Sequence, residues 1–221
     1  MTDADHDESA ADTLRRFVYA DAPMEEWVTQ GGGTAGAPWD AFERARRRAE
    51  AGESPAAADI WHEIALTDGL ESRQTLQAWK FLRDAGYGPA PDRAKAVLGA
   101  IMEMPVEDGH DLLAAYADGS ARYLNYSGKV AIVEDRSLLE IQEAIRRWIE
   151  VGEVFVQAMG AWDRPELPPL LPGQMRIMVL TPSGPHFGQG PAENVSTDQR
   201  AMPFIDAATT LVQLIFDLVV S

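Results

Sequence analysis

Three stretches of the chain carry side chains that could do chemistry. The segment Thr181-Pro182-Ser183-Gly184-Pro185-His186-Phe187-Gly188-Gln189-Gly190-Pro191 joins a hydroxyl, an imidazole and an amide to glycines that let a ligand approach the backbone. Ser183 and His186 are the residue types of a nucleophile and its general base, although Ser183 lies outside a GxSxG elbow and the two are close along the chain. The stretch Glu107-Asp108-Gly109-His110-Asp111 gathers carboxylates and an imidazole, the groups that hold a divalent cation or work as an acid–base pair. It lacks the alternating ligands and closing glutamate of a calcium loop, and an ordinary acidic turn has the same make-up. His62-Glu63 opens like the zinc motif HExxH, but Leu66 stands where the second histidine is required.

No nucleotide motif is complete. Gly31-Gly32-Gly33-Thr34-Ala35-Gly36 lacks the Lys-Ser/Thr ending of a phosphate loop, and Gly184, Gly188 and Gly190 do not fit a dinucleotide fingerprint. No cofactor and no metal are therefore expected. If catalysis exists, its candidates are His110, Asp111, Ser183 and His186, converging between the 107–111 turn and the 181–191 segment. A binding surface is drawn instead from Arg122, Tyr123, Asn125 and Tyr126, a mixture of arginine and aromatics familiar at interfaces, with Phe187 and Gln189 beside it.

These residues need elements to hold them. Residues 1–12 are polar and acidic and read as a disordered tail, and 31–38 read as a flexible connector. Between them, Leu14, Phe17, Val18 and Tyr19, then Met24, Trp27 and Val28, form apolar anchors. Trp39, Phe42, Ala45 and Ala49 recur at helical spacing. A second helix begins at Ser54-Pro55, with serine at the cap, and a third spans 71–85. Beyond Asp92 the period shifts toward two, with turns at Glu107-Asp108-Gly109, Asp118-Gly119 and Ser127-Gly128. That pattern predicts an antiparallel meander over 97–134. A long helix follows over 135–160, then a proline-rich extended stretch, a fifth strand over 175–180, a loop over 181–191 and an apolar helix over 204–220. So apolar a terminal helix should be buried on most sides, at the domain centre or in a homodimer.

The fold class expected is α+β: N-terminal helical hairpins packed on an antiparallel meander sheet, itself covered by a long helix and a C-terminal helix. Residues 13–90 form the helical region and 91–221 the α+β domain. The chain of 221 residues, 46% hydrophobic and 24% charged, can bury a core unaided. It has no cysteine, so thiolate metal sites, disulfides and cysteine nucleophiles are excluded, which fits a cytoplasmic protein. Its formal charge of −16 repels phosphate backbones and anionic lipid, so neither nucleic acid nor membrane is an expected partner. The Ala- and Asp-rich, Lys-poor composition points to a bacterial source. The basic cluster Arg44, Arg46, Arg47 and Arg48 has Glu43, Glu50 and Glu53 to pair with on its helix.

The spacing of Ala45, Ala49, Gly52, Ala57, Ala58 and Trp61 resembles a tetratricopeptide-type helical hairpin over residues 39–88, without a second copy at the repeat period. The order of elements over 95–220 loosely resembles small α+β domains of the profilin-like or roadblock-like kind. The first resemblance implies a peptide-docking shape, the second a sensor or adaptor scaffold. Together with the lack of a complete site, these features lead to a non-enzymatic interaction protein that binds a protein partner or itself, with a homodimer through the C-terminal helix. The alternative is a small-ligand binder or hydrolase.

Overall fold

The computed structural model describes residues 10–30, 36–164 and 166–220. Five helices come first: α1 (Ala10–Tyr19), α2 (Met24–Gln30), α3 (Trp39–Glu50), α4 (Ser54–Leu66) and α5 (Ser72–Asp84). Four strands follow, β1 (Gly99–Val106), β2 (Gly109–Tyr116), β3 (Ala121–Leu124) and β4 (Val130–Val133), then α6 (Leu139–Gln157). The chain ends in β5 (Gln174–Thr181), β6 (Gly184–Pro191), α7 (Ala192–Thr197) and α8 (Met202–Val220). The tail reading needs one correction, because Ala10 to Asp12 already belong to α1; the rest of it lies outside the described residues, as does most of the 31–38 connector.

The strands form one antiparallel sheet in the order β4-β3-β2-β1-β5-β6. The meander arises where the local pattern places it, since each of its turns closes on residues that tolerate tight backbone geometry. Gly119, at φ 82 in the Asp118-Gly119 turn, takes the left-handed backbone that favours glycine, and the ends of the Arg136 and Gln142 side chains lie where a Cβ would stand.

Alternation along the strands sorts side chains onto two faces. Ala100, Met102, Leu113, Ala115, Ile177 and Val179 meet Ile145 and Trp148 of α6 and Phe204, Leu211 and Ile215 of α8. Ile101, Leu112, Ala114, Tyr116, Met178 and Leu180 meet Val18 of α1 and Leu76 of α5. Strands β1 and β5 are covered on both faces, which is why they read as nearly continuous apolar runs. A separate helical core joins Trp27, Phe42, Trp61 and Phe81. The molecule is thus a sheet between an N-terminal helical layer and the α6/α8 layer.

Three further expectations are corrected. Glu53, not Ser54, is the N-cap of α4; Ser54 and Pro55 lie inside its first turn. The 181–191 stretch is no loop: only Pro182 and Ser183 turn, and Gly184 onward pairs with β5 as the strand β6. Counting alternately from the Thr181–Gly184 pair that closes the turn, Pro185 and Pro191 both fall where the backbone nitrogen faces away from β5, so neither removes a ladder hydrogen bond. Lastly, α8 is not buried on most sides. Phe204, Ala208, Leu211 and Ile215 form its buried stripe, while Phe216 and Leu218 are exposed.

Candidate functional site

The Ser183–His186 pair is built by the β5–β6 hairpin. His186 lies opposite Val179, on the α6 side of the sheet, almost wholly buried. Its Nδ1 lies 3.0 Å from the carbonyl of Met159, just past the end of α6, and can only donate there, which leaves Nε2 as an acceptor. Thr181 Oγ1 donates to the Gly184 carbonyl at 2.9 Å, so its proton is committed. Ser183 Oγ, 3.3 Å from Nε2 and 2.8 Å from Thr181 Oγ1, is then the hydroxyl left to donate to the ring. Burial pushes the His186 pKa below its ordinary value; the Met159 carbonyl opposes this and the Lys95 charge adds to it. The imidazole is thereby held neutral, with the tautomer a general base needs.

His110 and Asp111 stand elsewhere. His110 is opposite Pro105 near the start of β2, and its Nε2 lies 3.1 Å from the Gln174 carbonyl, at the start of β5. His186 pairs five residues further along β5, roughly 17 Å away by strand rise. Being consecutive on a strand, His110 and Asp111 also point to opposite faces. Asp111 accepts hydrogen bonds from the Tyr123 hydroxyl and, at 2.8 Å, from the Tyr126 amide. The catalytic candidates therefore do not converge: Ser183 and His186 meet each other, and His110 and Asp111 meet neither them nor one another. Among the described residues no group of three or more His, Asp or Glu side chains is arranged to hold a metal ion.

What His110 does approach is a buried charge cluster that local sequence gives no hint of. Arg176 Nη1 donates to Glu103 Oε2 at 3.0 Å, with both side chains about 5% exposed. Arg176 also donates to Gln189 Oε1 at 3.0 and 2.7 Å and to the Pro168 carbonyl, and its guanidinium lies 5.6 Å from the Phe187 ring centre. Arg15 of α1 approaches the other Glu103 oxygen at 3.6 Å and donates to the His110 carbonyl. Gln189, expected at a binding surface, is thus a ligand of Arg176. Phe187 packs edge-on against Trp162, with ring centres 5.1 Å apart.

The remaining binding candidates do not form one surface either. Arg122 is buried and ion-paired with Glu134, on the face opposite Tyr123. Asn125 stabilises its own turn by accepting from Ser127. Phe187 lies four strand spacings from Arg122, roughly 19 Å. Elsewhere, His62 rests edge-on against Trp79, and Arg46, Arg47 and Arg48 pair with Glu43, Glu50 and Glu53, pulling the Glu43 pKa down to about 2 through the Arg46 and Arg47 hydrogen bonds.

Tyr123 leads to a different feature. Its ring meets Phe216 of α8 at 5.0 Å, next to β4, the strand at one end of the sheet. At the opposite edge, the Trp162 amide donates to the Pro185 carbonyl at the start of β6, at 2.8 Å. Among the described residues no backbone group outside β3 bonds to the 130–133 backbone. Val130 and Ile132 are exposed on one side of that free edge, Ile132 by 60%, while Phe216 and Leu218 are exposed on the α8 side. Large apolar groups therefore border an unpaired strand on both faces.

No protein-family model matches the chain, no curated protein matches it, and no solved structure matches it. No described helix is long and apolar enough to cross a membrane.

Proposed function

We propose that the protein is a non-enzymatic interaction protein that associates with a second copy of itself through β4 and the adjoining end of α8. The observation that carries this reading is the free edge of β4 bordered by Val130, Ile132, Phe216 and Leu218. An unpaired strand offers a row of donors and acceptors, and exposed apolar groups beside it supply the driving force for association. Strand β4 has only four residues, so backbone pairing alone is weak, and the flanking side chains must contribute most of the affinity. A second copy fits because two β4 strands related by a two-fold axis through Ala131 set Val130 against Ile132 of the other copy, twice over, on one face.

The test is molar mass in solution by light scattering across a dilution series. The expected result is a species of twice the chain mass that dissociates in the double variant Ile132→Glu/Phe216→Ser while its circular dichroism stays native. A wild-type protein that remains a monomer at every concentration overturns the reading.

The Ser183–His186 contact supports a second reading, hydrolysis of an activated ester with Ser183 as nucleophile and His186 as base. Against it stands the Ser183 amide, which is spent on the Ala94 carbonyl at 3.1 Å and cannot serve an oxyanion. Labelling with a fluorophosphonate probe decides it: labelling that disappears in Ser183→Ala supports hydrolysis, and an unlabelled wild type removes it.

A further inference from the structure

A cavity of about 110 Å³ lies between α5, the α1–α2 turn, the stretch after α6 and the β5–β6 hairpin, on the sheet face away from His186. Its charged lining is Lys80, Arg83 and Arg164 against Asp21 and Asp84, so it carries one positive charge in excess inside a chain of formal charge −16. Lys80 takes up both carboxylates, at 3.4 Å to Asp21 and 2.6 Å to Asp84. Arg83 makes no ion pair among the described residues; its one hydrogen bond goes to the Pro182 carbonyl at 2.7 Å. Burial lowers its pKa, and the Asp84 and Asp21 charges offset that only in part. Arg164 likewise has no carboxylate partner among the described residues and lies 5.1 Å above the Trp162 ring. Leu76, Leu167, Met178 and Leu180 give the wall an apolar side, and Tyr19, Trp162 and Thr181 add polar atoms to it.

The wall also holds a strained residue. Ala20, at φ 51, is the one described non-glycine residue with positive φ, and its side chain is buried. Left-handed backbone is unfavourable at an alanine and concentrates at ligand sites. A forked guanidinium beside apolar walls suits a carboxylate carrying a short hydrocarbon tail, which Arg binds through two parallel hydrogen bonds. The volume sets the size, since a dry cavity of about 150 Å³ holds benzene.

We infer that this cavity is a binding site for a small monocarboxylate of roughly four to six heavy atoms, its carboxylate between Arg83 and Arg164 and its tail against Leu76, Leu167 and Met178.

Titration of the full chain with butyrate, followed by calorimetry, tests this, with butyramide as the neutral isostere and inorganic phosphate as the competing anion. Butyrate is expected to bind roughly tenfold or more tightly than either, and Arg83→Met to weaken it by a similar factor. Arg164→Gln, at an exposed side chain whose removal leaves the fold intact, is expected to weaken it as well, and decides the matter if Arg83→Met does not fold. The inference is overturned if butyrate gives no binding, if butyramide or phosphate binds as tightly, or if Arg164→Gln leaves butyrate affinity unchanged.

Discussion

Glu103 on β1 and Arg176 on β5 are opposite each other in the strand register and meet at 3.0 Å with almost no access to water. A pair so buried stabilises little as a pair, but the loss of one partner strands a charge in a low-dielectric interior. Glu103→Leu is expected to cost about 3–5 kcal/mol in urea denaturation, and the double variant Glu103→Leu/Arg176→Met to recover most of that loss. Additive costs in the double variant would show that the two groups are not coupled.

Gln77 of α5 is fully buried and uses its amide as a piece of backbone. Its Oε1 accepts from the Ala22 amide at 3.1 Å and its Nε2 donates to the Ala22 carbonyl at 2.8 Å. Gln77→Leu preserves bulk but leaves both groups unpaired, at about 1–3 kcal/mol for each. Amide hydrogen exchange should accelerate first across α1 and α2, which this contact ties to α5.

His186 gives stability a pH dependence of definite sign. Its folded pKa is depressed below the unfolded value of about 6.5, so between the two the unfolded chain binds more protons. Stability from this residue is fully present above about pH 6.5 and declines as pH falls from there toward the folded pKa. His186→Gln should flatten that decline, which is read as a smaller difference in urea midpoint between wild type and variant at about pH 5.5 than at about pH 7.5. An unchanged difference would assign the slope to other groups.

Gly152 lets α6 lie close to the sheet. A Cβ there would stand 3.3 Å from Val97 and 3.4 Å from Val179. Gly152→Ala crowds these contacts but gains about 1 kcal/mol of helix propensity, so its net effect on thermal stability should be small. Gly152→Val has no such offset and should cost about 1–3 kcal/mol.

Features generated by neighbours along the chain are legible in the sequence. The spacing of Trp39, Phe42 and Ala45 marks α3, and Asp118-Gly119 marks a hairpin whichever strands it joins, because period and turn geometry depend on a few adjacent residues. The composition of α8 predicts burial on most sides, whereas only the stripe of Phe204, Ala208, Leu211 and Ile215 is buried. By itself the sequence thus determined the α+β class, the meander and five of the eight described helices, α3, α4, α5, α6 and α8. Tertiary structure decided what meets what. Gly and Pro in 184–191 signal a loop until an edge position with outward-facing proline nitrogens makes a strand of them. His110 and Asp111 look like partners until the pleat sends them to opposite faces. Glu103 and Arg176 are 73 residues apart, and Arg83 reaches Pro182 across 99. Such contacts follow from strand order and layer stacking, which are set by the packing of the whole core and leave no trace in local spacing.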